Sequence, residues 1–131
     1  MKKVEVVAAI IMCDNEIFCA QRAESSLEYI SRKYEFPGGK IEAGETKKEA
    51  LKRELIEELN IETHINELYL TVVHQYPDFE LTMHSFLCKA NSKEIILNEH
   101  ISSKWLKKED LLNLDWAAAD LPIVHKLKED E

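Results

Sequence analysis

Glu54, Glu57 and Glu58 stand at i, i+3 and i+4 in the stretch RELIEELN, Arg53 to Asn60, and all three glycines of the chain, Gly38, Gly39 and Gly44, fall just ahead of it. At helical spacing these carboxylates share a face, where like charges repel by roughly a few tenths of a kcal/mol per pair. Towards a helix C-terminus the macrodipole disfavours them further. One reading is a solvated acidic face, common on surfaces and nearly neutral in energy. The other is a site for a hard divalent cation, Mg²⁺ above all, which binds carboxylate and carbonyl oxygens and leaves positions for water and phosphate. Such an ion clamps phosphate oxygens and activates water. The glycine-rich loop can approach the acidic face and offer it a backbone carbonyl.

These residues need a helix and a sheet to hold them. Thr46-Lys-Lys-Glu49 fits a capping box, so a helix is expected from there to about Leu59. Leu51, Leu55 and Leu59 give it an apolar stripe about 100° from the acids. Val4 to Met12 reads as a buried strand and Ile17 to Gln21 as its hairpin partner across Asp14-Asn15. Residues 23–33 read as a loop. Strands are expected over His64 to Gln75 and Glu80 to Ala90, joined at Tyr-Pro-Asp, and over Ile101 to Leu106. Lys108 to Leu112 reads as a short helical turn and Ala118 to Lys128 as a closing helix with Pro122 near its start, before a frayed KEDE tail. Strands on both sides of a central helix predict an α/β fold, a mixed β-sheet sandwiched between helices.

The 131 residues suit a single domain, 1–131. Seventeen basic against 25 acidic residues give a net charge of -8, which leaves no basic field for a nucleic-acid polymer. A small phosphorylated ligand is compatible, because bound cations reverse the local charge that it meets. The N-terminal apolar run is interrupted by Glu5 and has no cleavage site, and nothing approaches the roughly 20 residues of a membrane span. Cys13, Cys19 and Cys88 lack metal-ligand spacing and lie in apolar runs, so they read as reduced core residues of a cytoplasmic protein. Monomer and homodimer both remain open.

The segment GKIEAGETKKEALKRELIEELNI, Gly39 to Ile61, resembles the Nudix box, Gly-x5-Glu-x7-Arg-Glu-U-x-Glu-Glu-x-Gly-U, with U bulky and apolar. Gly39, Glu45, Arg53, Glu54, Leu55, Glu57, Glu58 and Ile61 match; Asn60 replaces the last glycine. Asn is the residue next best suited to the left-handed conformation expected there. Looser likeness to the MutT branch of Nudix hydrolases runs through MKKVEVVAAII, AQRAE, EFPGGKIEAGET and AADLPIV.

The resemblance implies a Nudix fold and a Mg²⁺-dependent (or Mn²⁺-dependent) pyrophosphohydrolase that attacks a nucleotide's phosphoryl chain with water. It implies that Glu57, Glu58 and the Gly39 carbonyl hold metal, and that Glu54 either ligates it or takes the proton from water. Arg53 would orient the catalytic glutamate, and Glu45 would support the site. Glu99 is either a further metal ligand, the general base or a solvated loop acid. Arg22 and Lys40 would meet phosphate beside Gly38. Asp120 would read the base edge or merely cap the closing helix, and Tyr76, Phe36 and Val6 would pack against the base or in the core. His74 and His84 read as satisfied strand residues. Two substrate types fit the resemblance: CTP, dCTP and modified cytosine nucleotides, or an oxidised purine such as 8-oxo-dGTP. A noncatalytic Nudix domain that binds a nucleotide as a sensor or acts as an interaction module is the contrasting class.

Overall fold

The computed structural model describes residues 2–130. Its elements are β1 (Lys2–Cys13), β2 (Glu16–Gln21), β3 (Tyr34–Glu35), β4 (Gly38–Lys40), α1 (Lys47–Leu59), β5 (His64–Gln75), β6 (Phe79–Lys89), β7 (Ser102–Leu106) and α2 (Leu121–Glu129), with 3₁₀ turns over Lys108–Asn113 and Ala118–Asp120 ahead of α2.

β1 is the axis of the sheet. One edge pairs in parallel with β6 from Lys2↔Phe79 to Met12↔Lys89, and β6 pairs antiparallel with β5. The other edge is divided. Its C-terminal end pairs with β2 only at Met12↔Ile17 and Cys13↔Glu16, while Val6 to Ala8 pair antiparallel with β4. Between them the Ala9 N–H donates to the Pro37 carbonyl at 2.8 Å. The glycine segment thus fills the split where β1 and β2 part. β2 then carries β3 and β7.

Both faces of the sheet are covered, so β1 reads as a nearly continuous apolar run, each alternate residue facing a different layer. Val7, Ala9, Ile11 and Cys13 pack with Leu51, Leu55 and Leu59 of α1. Ala8 and Ile10 pack with Ile123, Val124 and Leu127 of α2. The mixed sheet between helices is as the sequence implies, and the three cysteines are free and buried. Burial pushes the Cys19 and Cys88 thiols up to about 12, which leaves them protonated.

Two expectations at the C-terminus need correction. The closing α-helix starts at Leu121, because Ala118–Asp120 winds as a 3₁₀ turn. The tail is not frayed through Asp130: Lys128 and Glu129 complete α2, and the Asp130 carboxylate accepts from Tyr69 Oη and from Lys126 Nζ at 3.1 Å. Glu131, the last residue of that tail, lies outside the described residues. Among the described residues no helix is long and apolar enough to cross a membrane.

Candidate active site

α1 is fixed at both ends by local chemistry. Thr46 Oγ1 accepts from the Glu49 N–H at 3.1 Å while Glu49 Oε1 accepts from the Thr46 N–H at 2.8 Å. Asn60 ends the helix in the left-handed conformation, φ 51°, its N–H returning to the Ile56 carbonyl at 3.0 Å. With the leucine stripe docked on the sheet, the three glutamates do not share one environment. Glu58 is 5% exposed. The Glu54 side chain is 16% exposed and that of Glu57 58%.

Arg53 joins the acids of the loop and the helix. Its Nε and Nη2 donate to the two Glu45 oxygens at 2.7 and 3.0 Å, its Nη1 to Glu54 Oε1 at 2.9 Å and Glu57 Oε2 at 3.3 Å, and Nη2 also to the Lys40 carbonyl at 3.1 Å. The Arg53 bond, with the Glu42 N–H, holds the Glu45 carboxyl below its ordinary range. Glu54 moves the other way, raised by burial against the opposing pull of Arg53. Gly39 lies directly on it: a Cβ added there would stand 2.5–2.7 Å from the Glu54 carboxylate.

Glu58 is the electrostatic centre. Burial first, and then the charges of Glu35, Glu54 and Glu99, push its carboxyl up to about 9. Glu58 Oε2 is buried without a hydrogen-bond partner. Among the described residues no three His, Cys, Asp or Glu side chains converge as a finished ligand set; Glu45, Glu54 and Glu57 each bond Arg53. The donor chemistry nevertheless fits a hard cation, since the unpartnered Glu58 oxygen is a hard donor on which the charges of Glu35, Glu54 and Glu99 also act.

A cleft of about 250 Å³ runs from this acidic end over β1, lined by Val6, Phe36, Gly38, Gly39, Tyr76 and Asp120 among others. A recess of about 380 Å³, lined by Glu99 and His100, shares Arg22, Glu35 and Glu58 with it. Phe36 is buried and stacks on Trp116 with ring centroids 4.8 Å apart, so it serves the core and the cleft wall at once. Tyr76 Oη accepts from the Ala119 N–H at 3.1 Å. Asp120 stands at the N-cap position of α2, but its side chain makes no capping bond; its Oδ1 accepts from the Phe36 N–H at 3.0 Å, and burial, with the nearby Glu35 charge, raises its carboxyl well above the usual range.

The remaining sequence candidates divide. Arg22 lies at the junction of cleft and recess, and its Nη1 donates to Glu35 Oε1 at 3.1 Å. Lys40 is exposed and lines neither, although its carbonyl meets Arg53. Glu57 likewise lines neither. His84 bonds Glu5 and Thr71, and His74 sits edge-on to Tyr76. Sequence reasoning missed Glu35 and His100. Glu35 directly precedes the Phe36-Pro37-Gly38-Gly39 run and could have been noticed there, whereas nothing local marks His100.

A family model described as NUDIX domain matches residues 6–126. The chain is 35% identical over 129 residues to the 8-oxo-dGTP diphosphatase of Escherichia coli (strain K12), covering 98% of each chain. It is also 35% identical over 124 residues to the CTP pyrophosphohydrolase of the same strain, covering 95% of this chain and 90% of the other. The solution structure of the E. coli ORF135 protein superposes with a TM-score of 0.81 at 35% identity, covering 95% and 88% of the two chains. The chain belongs to the NUDIX domain family and is a Nudix hydrolase.

Proposed function

We propose that this Nudix hydrolase cleaves a nucleoside triphosphate to the monophosphate and pyrophosphate, clearing modified nucleotides from the pool. The observation that carries this reading is the junction of two unlike volumes: an apolar cleft ending on a buried carboxyl, Asp120, opens at Arg22 into a recess lined by Glu35, Glu58 and Glu99. A base needs flat apolar walls and one polar edge, and a phosphate chain needs cations. Both relatives are named for nucleotide phosphohydrolysis, one on CTP and one on 8-oxo-dGTP, at the same identity.

Glu57, Glu58, Glu54 and Glu99, with the Gly39 carbonyl, would hold Mg²⁺, or Mn²⁺ in its place. When bound, the ion supplies charge neutralisation for the phosphate oxygens and a more acidic water. Glu54 is suited to take the proton from the attacking water, since burial raises its affinity for a proton while Arg53 Nη1 fixes Oε1. Arg53 and Glu45 keep that carboxylate oriented. Arg22 and, from outside the cleft, Lys40 meet phosphate. Phe36, Gly38 and Tyr76 bound the base, and Asp120 reads its edge: as a carboxylate it accepts from a cytosine amino group, and when protonated it donates to an oxidised guanine. Three buried free thiols fit a reducing, cytoplasmic compartment.

The test is a comparison of specificity constants for CTP, dCTP, 5-methyl-dCTP and 8-oxo-dGTP with Mg²⁺. A preference for one of them with pyrophosphate released is expected. Binding without turnover across a broad nucleotide panel would instead make the domain a sensor, and a preference for ADP-ribose or dinucleoside polyphosphates would sink both substrate assignments.

A further inference from the structure

Glu35 takes a bond on each of its oxygens. Arg22 Nη1 donates to Oε1 at 3.1 Å, and His100 Nε2 lies 2.9 Å from Oε2. The three residues come from different elements: Arg22 follows β2, Glu35 ends β3, and His100 lies just ahead of β7. Their backbones are tied as well, the Arg22 N–H donating to the Lys33 carbonyl at 2.9 Å and the Ile101 N–H to the Gln21 carbonyl at 3.0 Å. The exposures run in order along the chain of contacts. The His100 side chain is 4% exposed, that of Glu35 17% and that of Arg22 42%.

A half-exposed arginine on a long flexible stem has many rotamers, and one carboxylate contact fixes it only if that carboxylate is itself fixed. Glu35 has reason to turn elsewhere, because its charge already acts on Glu58 and Asp120. The imidazole prevents this by occupying Oε2 and leaving Oε1 for the guanidinium. Core packing alone does not explain a histidine here, because His100 Nδ1 is buried with no partner and an apolar residue would avoid that cost.

We infer that His100 is a positioning residue that acts through Glu35 to hold Arg22 at the mouth of the phosphate recess, and so governs affinity for the triphosphate chain. The inference rests on the nucleotide reading above. Its consequence falls first on Arg22-dependent binding of the phosphate chain.

The test is binding of a nonhydrolysable α,β-methylene nucleoside triphosphate and of the matching monophosphate, alongside kcat and KM for the preferred triphosphate. For His100→Ala, triphosphate affinity should fall and KM rise by about tenfold, with a smaller change in kcat and in monophosphate binding. His100→Gln, whose side-chain N–H can reach the same oxygen, should recover most of the loss. In an Arg22→Ala background His100→Ala should add little, since coupled residues are not additive. Additive losses, or a change in the Mg²⁺ concentration needed for half-maximal rate through neighbouring Glu99, would overturn the inference. If His100→Ala does not fold, Glu35→Gln read in the same cycle with Arg22→Ala decides it by the same criterion. A wild-type protein that binds no triphosphate would remove the functional reading itself; triphosphate binding that is indifferent to His100 removes only this step.

Discussion

Gly38 and Gly39 are adjacent, yet adding one methyl group to each should damage different properties. At Gly39 the new Cβ would lie 2.5 Å from the Glu54 carboxyl carbon and 2.6 and 2.7 Å from its oxygens. Ordinary contact between such atoms is about 3.5 Å, so the carboxylate must retreat by about 1 Å. Glu54 is the end of a flexible side chain, and Gly39 does not have a positive φ, so the fold can absorb the change and gains a little from a stiffer unfolded chain. The chemistry cannot absorb it, because the retreat breaks the 2.9 Å contact with Arg53 Nη1. Misplacement of a reacting group by about 1 Å costs on the order of 100-fold in rate. At Gly38 the same methyl would stand 1.9 Å from the Val7 carbonyl oxygen and 2.8 Å from the Ala8 Cα. Both belong to the central strand and neither can rotate away, so overpacking of about 1–3 kcal/mol or more is expected. Gly39→Ala should therefore lower kcat/KM by about 30- to 100-fold with Tm nearly unchanged. Gly38→Ala should lower Tm by roughly 5–10 °C. The assays are steady-state hydrolysis with Mg²⁺ and thermal unfolding followed by circular dichroism. Wild-type turnover in Gly39→Ala would refute the placing of Glu54 at the reacting centre, and equal Tm losses in the two variants would refute the distinction between side-chain and backbone clashes.

Asp120 gives a pH-dependent expectation. Burial raises its carboxyl in the folded protein well above the ordinary 3.8, so its favourable contribution is complete below about pH 3.8 and is lost as pH rises through the folded value. Asp120→Asn keeps an acceptor for the Phe36 N–H and removes the titration, so its Tm advantage over wild type should grow from pH 4 to pH 8; a difference that stays constant with pH would contradict the assignment. Chelation should abolish turnover, and Mg²⁺ at about 100 times its dissociation constant should stabilise the protein by about 2.7 kcal/mol. Glu58→Gln should remain folded while losing most of both effects, and an undiminished Mg²⁺-induced rise in its Tm would take Glu58 out of the ion site.

The legible parts of this molecule are those that local chemistry decides. Thr46 and Glu49 bond to each other across three residues, Leu51, Leu55 and Leu59 repeat every turn, and Asn60 takes the left-handed conformation that its side chain tolerates. The glycine cluster was also legible, although for two reasons: Gly44 has φ 85°, whereas Gly38 and Gly39 are needed for close approach. The unequal exposure of Glu57, Glu54 and Glu58 was not legible. It depends on how deeply the leucine stripe docks against the sheet, which spacing does not record. Arg22, Glu35 and His100 were harder still, since residues so far apart in sequence meet only because β2 pairs with both β3 and β7.

That division bears on the choice of base. The proposed catalytic face lies largely in one continuous segment, 39–61, and so the family resemblance could be read there from the residues and their spacing. The proposed base cleft is assembled from β1, the Phe36 segment, Tyr76 and the 3₁₀ turn ahead of α2, and Glu58 and Asp120 are its buried carboxyls; Asp120 Oδ1 is already committed to the Phe36 N–H. Whether Asp120 accepts or donates to a base depends on its proton, which is set by desolvation and by the Glu35 charge. Glu35 is also the residue that His100 and Arg22 hold. On the proposed reading, base reading and phosphate grip meet in Glu35, and a variant that frees Glu35 from His100 should change the pH dependence of Asp120 as well as the affinity for phosphate. Measuring the Asp120→Asn stability difference against pH in the His100→Ala background would show it, and an unaltered profile there would mean that the two ends of the cleft are electrostatically independent.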